Sequence, residues 1–211
     1  MAELKLPRFM LAAPASGSGK TTLTCAVLKA LMNKGLKTAA FKSGPDYIDP
    51  MFHRQVLGIP ARNLDTFFTG EDGTRRLFLR DRREDELVVM EGVMGLYDGL
   101  GGIREEGSSY HLAKVTQTPI ILVVDAKGMG KSVLALIAGF LQYDTHHLIK
   151  GVLLNRMSKG YYDIIKPLIE KELSVKVVGY FPEQKEWEPV QALCLFLSQR
   201  SLQPWEKQAY L

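Results

Sequence analysis

Residues 11–22 read Leu-Ala-Ala-Pro-Ala-Ser-Gly-Ser-Gly-Lys-Thr-Thr and concentrate the groups that a polyphosphate needs. Gly17 and Gly19 let the backbone approach an anion with no Cβ in the way. The amides that follow open a helix and have no intrahelical acceptor, so they can point at phosphate oxygens with the helix dipole behind them. Lys20 is placed to reach the β- and γ-phosphates, and the Thr21 hydroxyl to take a position on Mg²⁺. Ser16, Gly17, Ser18, Gly19, Lys20, Thr21 and Thr22 are therefore the expected contacts of a nucleoside triphosphate such as ATP. Pro14 stands where the usual phosphate-loop pattern has its leading glycine, so the loop departs from the commonest spacing.

Three further stretches bring chemistry to the ends of apolar runs. Lys42-Ser43-Gly44-Pro45-Asp46-Tyr47-Ile48-Asp49-Pro50 delivers one ammonium and two carboxylates, suited to an anionic substrate and a metal. Asp46 and Asp49 can face one site if residues 48–52 begin a helical turn; Asp49 is alternatively a cap of that turn ahead of Pro50. Val88-Val89-Met90-Glu91 closes a strand on an acid, the usual position of a Mg²⁺ ligand or water-orienting group beside a phosphate loop. The glycine-bearing segment from Gly92 to Gly107 follows, with Asp98 ahead of Gly99 as either a turn former or a substrate contact. Gly151-Val152-Leu153-Leu154-Asn155 ends in a carboxamide that offers both a donor and an acceptor, matching an adenine edge as well as a turn. Asp125 ends another apolar run and reads equally as a turn residue. His53, His111, His146 and His147 lack metal-ligand spacing, so zinc is not expected.

The elements that must hold these groups alternate along the chain. Strand-like runs fall at Arg8–Ala13, Thr38–Lys42, Leu87–Glu91, Ile120–Asp125, Ile149–Asn155 and Lys176–Tyr180. Most are apolar on both faces, as strands of a covered parallel sheet are. Helical patterns lie between them at Thr21–Lys34, Asp72–Arg83, Ser109–Val115, Gly130–Tyr143 and Gly160–Leu173. This alternation predicts an α/β fold, a doubly wound and mainly parallel sheet of the P-loop NTPase kind with helices on both faces. With 211 residues, 46% apolar and 24% charged, the composition is that of one ordinary globular domain. No apolar run spans a membrane, no signal peptide is visible, and two cysteines make no disulfide framework, so a cytoplasmic location is expected. The net charge of +4 is spread among mixed-sign residues such as Arg75–Glu86, which argues against a nucleic-acid surface.

Taken in order, these stretches resemble the synthetase domain of the cobyrinic (or hydrogenobyrinic) acid a,c-diamide synthase family. The resemblance is carried by Ala-Pro-Ala-Ser-Gly-Ser-Gly-Lys-Thr-Thr, Gly-Pro-Asp-Tyr-Ile-Asp-Pro, Arg62-Asn63-Leu64-Asp65, Glu-Gly-Val-Met-Gly-Leu-Tyr-Asp-Gly, Gly107-Ser108-Ser109-Tyr110-His111-Leu112-Ala113-Lys114 and Leu-Asn-Arg. The phosphate loop is similar to that of dethiobiotin synthetase, whose longer spacing places Ala13 at the leading position and accounts for Pro14. The resemblance implies that a corrinoid carboxylate attacks the γ-phosphate of ATP and that ammonia displaces the acyl phosphate formed. It implies Thr21, Asp46 and Glu91 as Mg²⁺ ligands, and Lys20, Lys42, Asp46 and Glu91 as catalytic groups. Tyr47, Asp98 and Ser108 would border the corrinoid, and Asn155 would meet adenine.

Residues 1–186 are then the amidoligase domain, and the family pattern stops near Trp187, leaving 187–211 as a divergent tail. No glutaminase half of the kind family members carry is expected within these 211 residues, so free ammonia or a separate glutaminase is the expected nitrogen source. Domains of this fold often pair across a face, which leaves a homodimer open. Three other functions compete: a partition-type ATPase switch, a dethiobiotin-type ligase and an ATP-binding relic. The switch proteins carry an extra lysine early in the loop, which Ala13–Ser18 lacks, and the long Gly92–Gly107 loop favours the larger corrinoid substrate.

Overall fold

The structure, a computed structural model, describes residues 6–183 apart from 47, 56, 81 and 84. The expectation for Tyr47 and the reading of 187–211 therefore lie outside the described residues. The strands are β1 (Arg8–Ala12), β2 (Thr38–Ser43), β3 (Ala61–Leu64), β4 (Leu87–Glu91), β5 (Ile120–Asp125), β6 (Ile149–Asn155) and β7 (Lys176–Phe181). The helices are α1 (Lys20–Asn33), α2 (Ile48–Gln55), α3 (Thr66–Leu79), α4 (Ser109–Thr116), α5 (Ser132–Tyr143) and α6 (Lys159–Leu173). The strands form one seven-stranded sheet in the order β3-β2-β4-β1-β5-β6-β7, and every pairing among the described residues is parallel.

Period-two alternation sorts the strand residues between two covered faces. Met10, Ala12, Phe41, Met90, Leu122 and Leu154 pack into the larger core together with residues of α3, α4, α5 and α6. Their neighbours Leu11, Ala13, Ala40, Val89 and Val123 turn the other way, against Leu23 and Leu28 of α1. Both faces are buried, which is why the strands read as continuous apolar runs. The helix after the phosphate loop is closed by Gly35, at φ +74° with its amide on the Met32 carbonyl.

Three elements differ from the sequence reading. Helix α2 runs over Ile48–Gln55, where the sequence offers only a conditional turn at residues 48–52. The four-residue edge strand β3 was not expected, because Arg62 and Asn63 are exposed and leave no apolar run. Helix α3 begins at Thr66, not Asp72; a non-helical Gly70 (φ 62°, ψ 173°) divides a short first turn from the longer helix. Asp65 caps that first turn by accepting from the amides of Phe67 and Phe68.

Candidate active site

With β1 at the centre of the sheet, its phosphate loop lies between two groups of strand ends, β4, β2 and β3 on one side and β5, β6 and β7 on the other. Ligands of such sheets bind beyond the carboxyl ends of the strands. Gly17 and Gly19 take φ of +75° and +89°, the left-handed region that suits glycine. A Cβ at Gly19 would also lie 2.3 Å from Nδ2 of Asn155, so a side chain there would displace the Asn155 carboxamide. Gly19 gives α1 no side-chain cap and the first turn holds no acid, leaving its amides to an external anion. The Ser18 hydroxyl closes the loop by donating to the Ala15 carbonyl at 2.9 Å. Lys20 is buried and donates to the carbonyls of Ala15 (3.0 Å) and Met94 (2.6 Å).

On the β4–β2 side, register and alternation bring the charged groups together. Lys42 and Glu91 are direct partners across β2 and β4. Both share the α1 face with Ala40 and Val89, so they meet the first turn of α1. Oε1 of Glu91 accepts from the Thr21 hydroxyl at 2.6 Å and from the Lys42 ammonium at 2.7 Å. Lys42 also lies 2.5 Å from Asp49 and 3.9 Å from Asp46. The capping role falls to Asp46, whose Oδ1 accepts from the Ile48 amide at 2.9 Å. Asp49 instead turns its buried carboxylate into the site.

Burial pushes the Lys42 ammonium's pKa down, but Glu91 and Asp49 outweigh it and leave it above its ordinary value. Asp49 is raised to about 6 by burial and by Glu91, against the pull of Lys42. Burial, with Glu91 adding to it, outweighs the ion pair with Lys42, which is why Asp49 is raised despite that partner. Lys20 is lowered by burial and by the like charge of Lys42.

His53 is a buried neighbour of this cluster that the sequence spacing did not place there. It sits on α2 four residues after Asp49, one turn along the same face. Its Nε2 lies 3.8 Å from Sγ of Cys25 and 4.0 Å from Oε2 of Glu91. Burial lowers its pKa to about 4, so at neutral pH the ring is uncharged. Nδ1 of His53 and Oε2 of Glu91 are buried without a hydrogen-bond partner among the described residues. Glu91 has no exposed surface at all, and an unpaired carboxylate oxygen at that depth is costly. Metal-ligand patterns in the sequence did not find this group; the Asp49–His53 spacing was the available signal.

The segment after Glu91 folds back over the phosphate loop. The Leu96 amide donates to the Ala13 carbonyl at 2.8 Å, and a Cβ at Gly95 would lie 2.6 Å from the Pro14 carbonyl. Asp98 holds the turn by accepting from the Gly95 amide at 2.9 Å. The Ser109 hydroxyl accepts from the Val93 amide and donates to its carbonyl. Ser108 is fully buried and caps α4 by accepting from the His111 amide at 3.0 Å.

On the β5–β7 side, Asn155 donates to the Ser18 carbonyl at 2.9 Å, fastening β6 to the phosphate loop, and accepts from the Arg156 amide. Asp125 pairs with the Arg156 guanidinium and also accepts from the Lys127 amide. Beyond these residues opens a cavity of about 470 Å³ bordered by Ala126, Gly128, Met129, Arg156, Tyr161 and Pro182. Thus Ser16–Thr22, Lys42, Asp46, Glu91 and Asp98 gather around the phosphate loop or its β4–β2 flank, and Asn155 lies on the opposite flank.

The description CobQ/CobB/MinD/ParA nucleotide binding domain matches residues 9–190. Cobyrinate a,c-diamide synthase of Listeria monocytogenes is 42% identical over 178 residues, covering 83% of this chain and 39% of that protein. The enzyme of the same name from Thermoplasma volcanium is 43% identical over 184 residues, 87% of this chain and 40% of its own length. The chain therefore spans about two fifths of the length of these curated relatives. Among solved structures, chloroplast FtsY from Physcomitrella patens superposes with a TM-score of 0.60 at 16% identity, over 91% of this chain and 65% of that one. A nucleotide-binding protein from Archaeoglobus fulgidus in complex with ADP gives 0.57 at 13% identity, over 98% and 94%. Those two likenesses establish the fold, and the phosphate loop within it accounts for nucleotide binding. The chain belongs to the CobQ/CobB/MinD/ParA nucleotide-binding domain family.

Proposed function

We propose that the chain activates carboxylates of a corrinoid acid with ATP, forming an acyl phosphate that ammonia converts to an amide. The observation that carries this is the Lys42–Glu91–Thr21 junction, with Asp49 on the same ammonium, directly beside the phosphate loop. A carboxylate oxygen is a poor nucleophile toward a polyanion, so charge neutralisation and alignment must supply most of the acceleration. Lys20 leaves its carbonyl partners for the β- and γ-phosphates, and Lys42 steadies the γ-phosphate or the incoming carboxylate. The carboxylate oxygen bonds to the γ-phosphorus as the bond to the β-phosphate bridge breaks and ADP departs. Ammonia then attacks the acyl carbon, inorganic phosphate leaves, and the ammonium formed gives up a proton.

The donor set suits a hard divalent cation. Lys20 and Lys42 face Asp46, Asp49, Asp98 and Glu91, an excess of negative charge made of oxygen ligands, with one Glu91 oxygen unpartnered. No point among the described residues is already ringed by three or more potential ligands. Mg²⁺ needs no such ring, because it takes one or two carboxylates and completes its shell with phosphate oxygens and water. Thr21, Glu91 and Asp46 would hold it, with Asp49 adjacent, and when bound it would neutralise charge developing on the phosphates.

Asn155 and the cavity on its side would receive the adenosine, and Asp98 with the Gly92–Gly107 loop would border the corrinoid. Ser108 would serve by fixing the start of α4 beneath that loop, and Tyr47 would extend the same border. Residues 1–186 would form the ATP-binding amidoligase domain. The test is incubation with ATP, Mg²⁺, ammonia and cobyrinic or hydrogenobyrinic acid. Loss of one mass unit per amidation and release of ADP are expected; ATP binding without any amide would refute the assignment.

A further inference from the structure

Of twelve large apolar side chains left exposed among the described residues, seven (Ile48, Phe67, Phe68, Leu79, Met94, Leu100 and Ile103) belong to segments that follow β2, β3 and β4. Phe67 and Phe68 are adjacent, 56% and 70% exposed, and Ile103 at the tip of the glycine-bearing loop is 90% exposed. The two rings meet edge to face with centroids 5.3 Å apart.

Their setting is rigid and joined to the charged centre. Asn63 of β3 is the register partner of Lys42, so the Phe67–Phe68 turn starts just beyond the strand end beside that lysine. Asp65 holds the turn's amides, and the Thr69 and Thr74 hydroxyls bond each other at 2.7 Å across the Gly70 break. Nδ1 of His111 lies 3.0 Å from the Thr66 hydroxyl and accepts from the Gly107 amide at 3.3 Å. That ring therefore ties the aromatic turn to the end of the 92–107 loop. A Cβ on Gly107 would stand 3.6 Å from that of Phe67, so the two segments already touch. Two neighbouring residues on, Ser109 binds Val93, which is two residues from Glu91.

We propose that Phe67 and Phe68, beside the Gly107 end of the 92–107 loop, form the surface on which the flat apolar face of the substrate macrocycle rests while one peripheral carboxylate reaches Lys42. This rests on the corrinoid reading above and adds the residues that would select for a large ring. Phe67 and Phe68 together expose on the order of 250 Å². A stable pairing with a second copy would bury about 800 Å² on each partner, so the strip is too small for that and suits one face of a ring. Its position on the ligand rim, continuous with the phosphate-transfer centre, also favours a substrate over a partner chain.

The test compares the parent with Phe67→Ser/Phe68→Ser and with the conservative Phe67→Tyr/Phe68→Tyr. Cobyrinic acid affinity is read from the corrin absorbance at saturating non-hydrolysable ATP analogue, with nucleotide affinity and sedimentation measured in parallel. The serine pair should weaken corrinoid binding about tenfold or more, while the tyrosine pair stays within about twofold, because only the first removes ring surface. Nucleotide affinity and thermal midpoint should not move. Equal corrinoid affinity in parent and serine variant would overturn the surface and leave the ligase assignment standing. A parent that binds the ATP analogue but no cobyrinic acid would overturn both. A serine variant that changes only from dimer to monomer would show that a second copy covers the strip.

Discussion

The two flanks of the phosphate loop are built from the same kind of parallel strand, yet they end in opposite ways. On the β4–β2–β3 side, buried charges are stacked on one another: Lys42 holds Glu91 and Asp49, Glu91 holds Thr21, and His53 stands behind. On the β5–β6–β7 side, each strand-end group is spent on a neighbour and an open cavity remains. Asn155 binds the loop, and Asp125 pairs with the half-buried Arg156. One flank is coupled, so a change at any member is felt by the rest. The other is a wall whose pieces act separately. On the proposed function, the chemistry that moves charge falls to the first flank and the binding of an uncharged base to the second.

That contrast can be broken most forcefully at Lys42. Lys42→Ala strands Glu91 and Asp49 as neighbours without their cation, and should cost about 3–5 kcal/mol of stability as well as activity. Urea denaturation reads the first; a loss below about 1 kcal/mol would mean the cluster is not coupled. Next in size, Lys20→Ala should lower turnover by about 10²–10³-fold, or ~2.7–4 kcal/mol, with the fold intact. Turnover at the parent rate would remove Lys20 from the transfer step.

The third prediction uses pH, with nucleotide and metal withheld. His53 is held neutral, its pKa lowered from 6.5 to about 4, so its contribution is present above 6.5 and is lost as pH falls toward 4. Asp49, raised from 3.8 to about 6, contributes stability that is present below 3.8 and is lost as pH rises through 6. The two run in opposite directions across nearly the same window. Replacing His53 with Gln removes one of them, so variant stability relative to parent should rise by on the order of 2–3 kcal/mol between pH 7 and 4. Parallel denaturation profiles would count against the buried neutral ring. The smallest effect belongs to the opposite flank. Tyr161→Ala opens the cavity wall and should weaken nucleotide binding by ~1 kcal/mol, with turnover at saturating nucleotide unchanged. A matching fall in turnover would show that the two flanks are not separate.

The central strands were legible because burial on both faces writes an uninterrupted apolar run. The edge strand β3 escaped because half of it is exposed, and the first turn of α3 escaped because Gly70 interrupts the helical period. The phosphate loop was fully readable, being local in sequence. Glu91 and Lys42 were readable as strand ends, although their pairing is a matter of register. The choice between Asp46 and Asp49 was not, since a cap and a site ligand look alike until the turn is built. His53 was hidden more deeply, because its partner Cys25 is 28 residues away on another element. The cavity beside Asn155 draws on three separate loops and leaves no mark in any one of them.

Lys20 has a consequence for the coupling of binding events. The ammonium that a triphosphate must recruit is the same one that pins the Met94 carbonyl, and Met94 itself is held at φ 49°. Phosphate and the 92–98 segment therefore compete for a single cation. Linkage between two such competitors is reciprocal: nucleotide arrival releases the segment, and holding the segment away favours nucleotide by the same factor. On the proposed function, nucleotide binding and release of the segment that would border the corrinoid are therefore coupled through Lys20. Faster hydrogen exchange across Gly92–Asp98 on adding an ATP analogue is the expected signature, and unchanged exchange would remove the coupling.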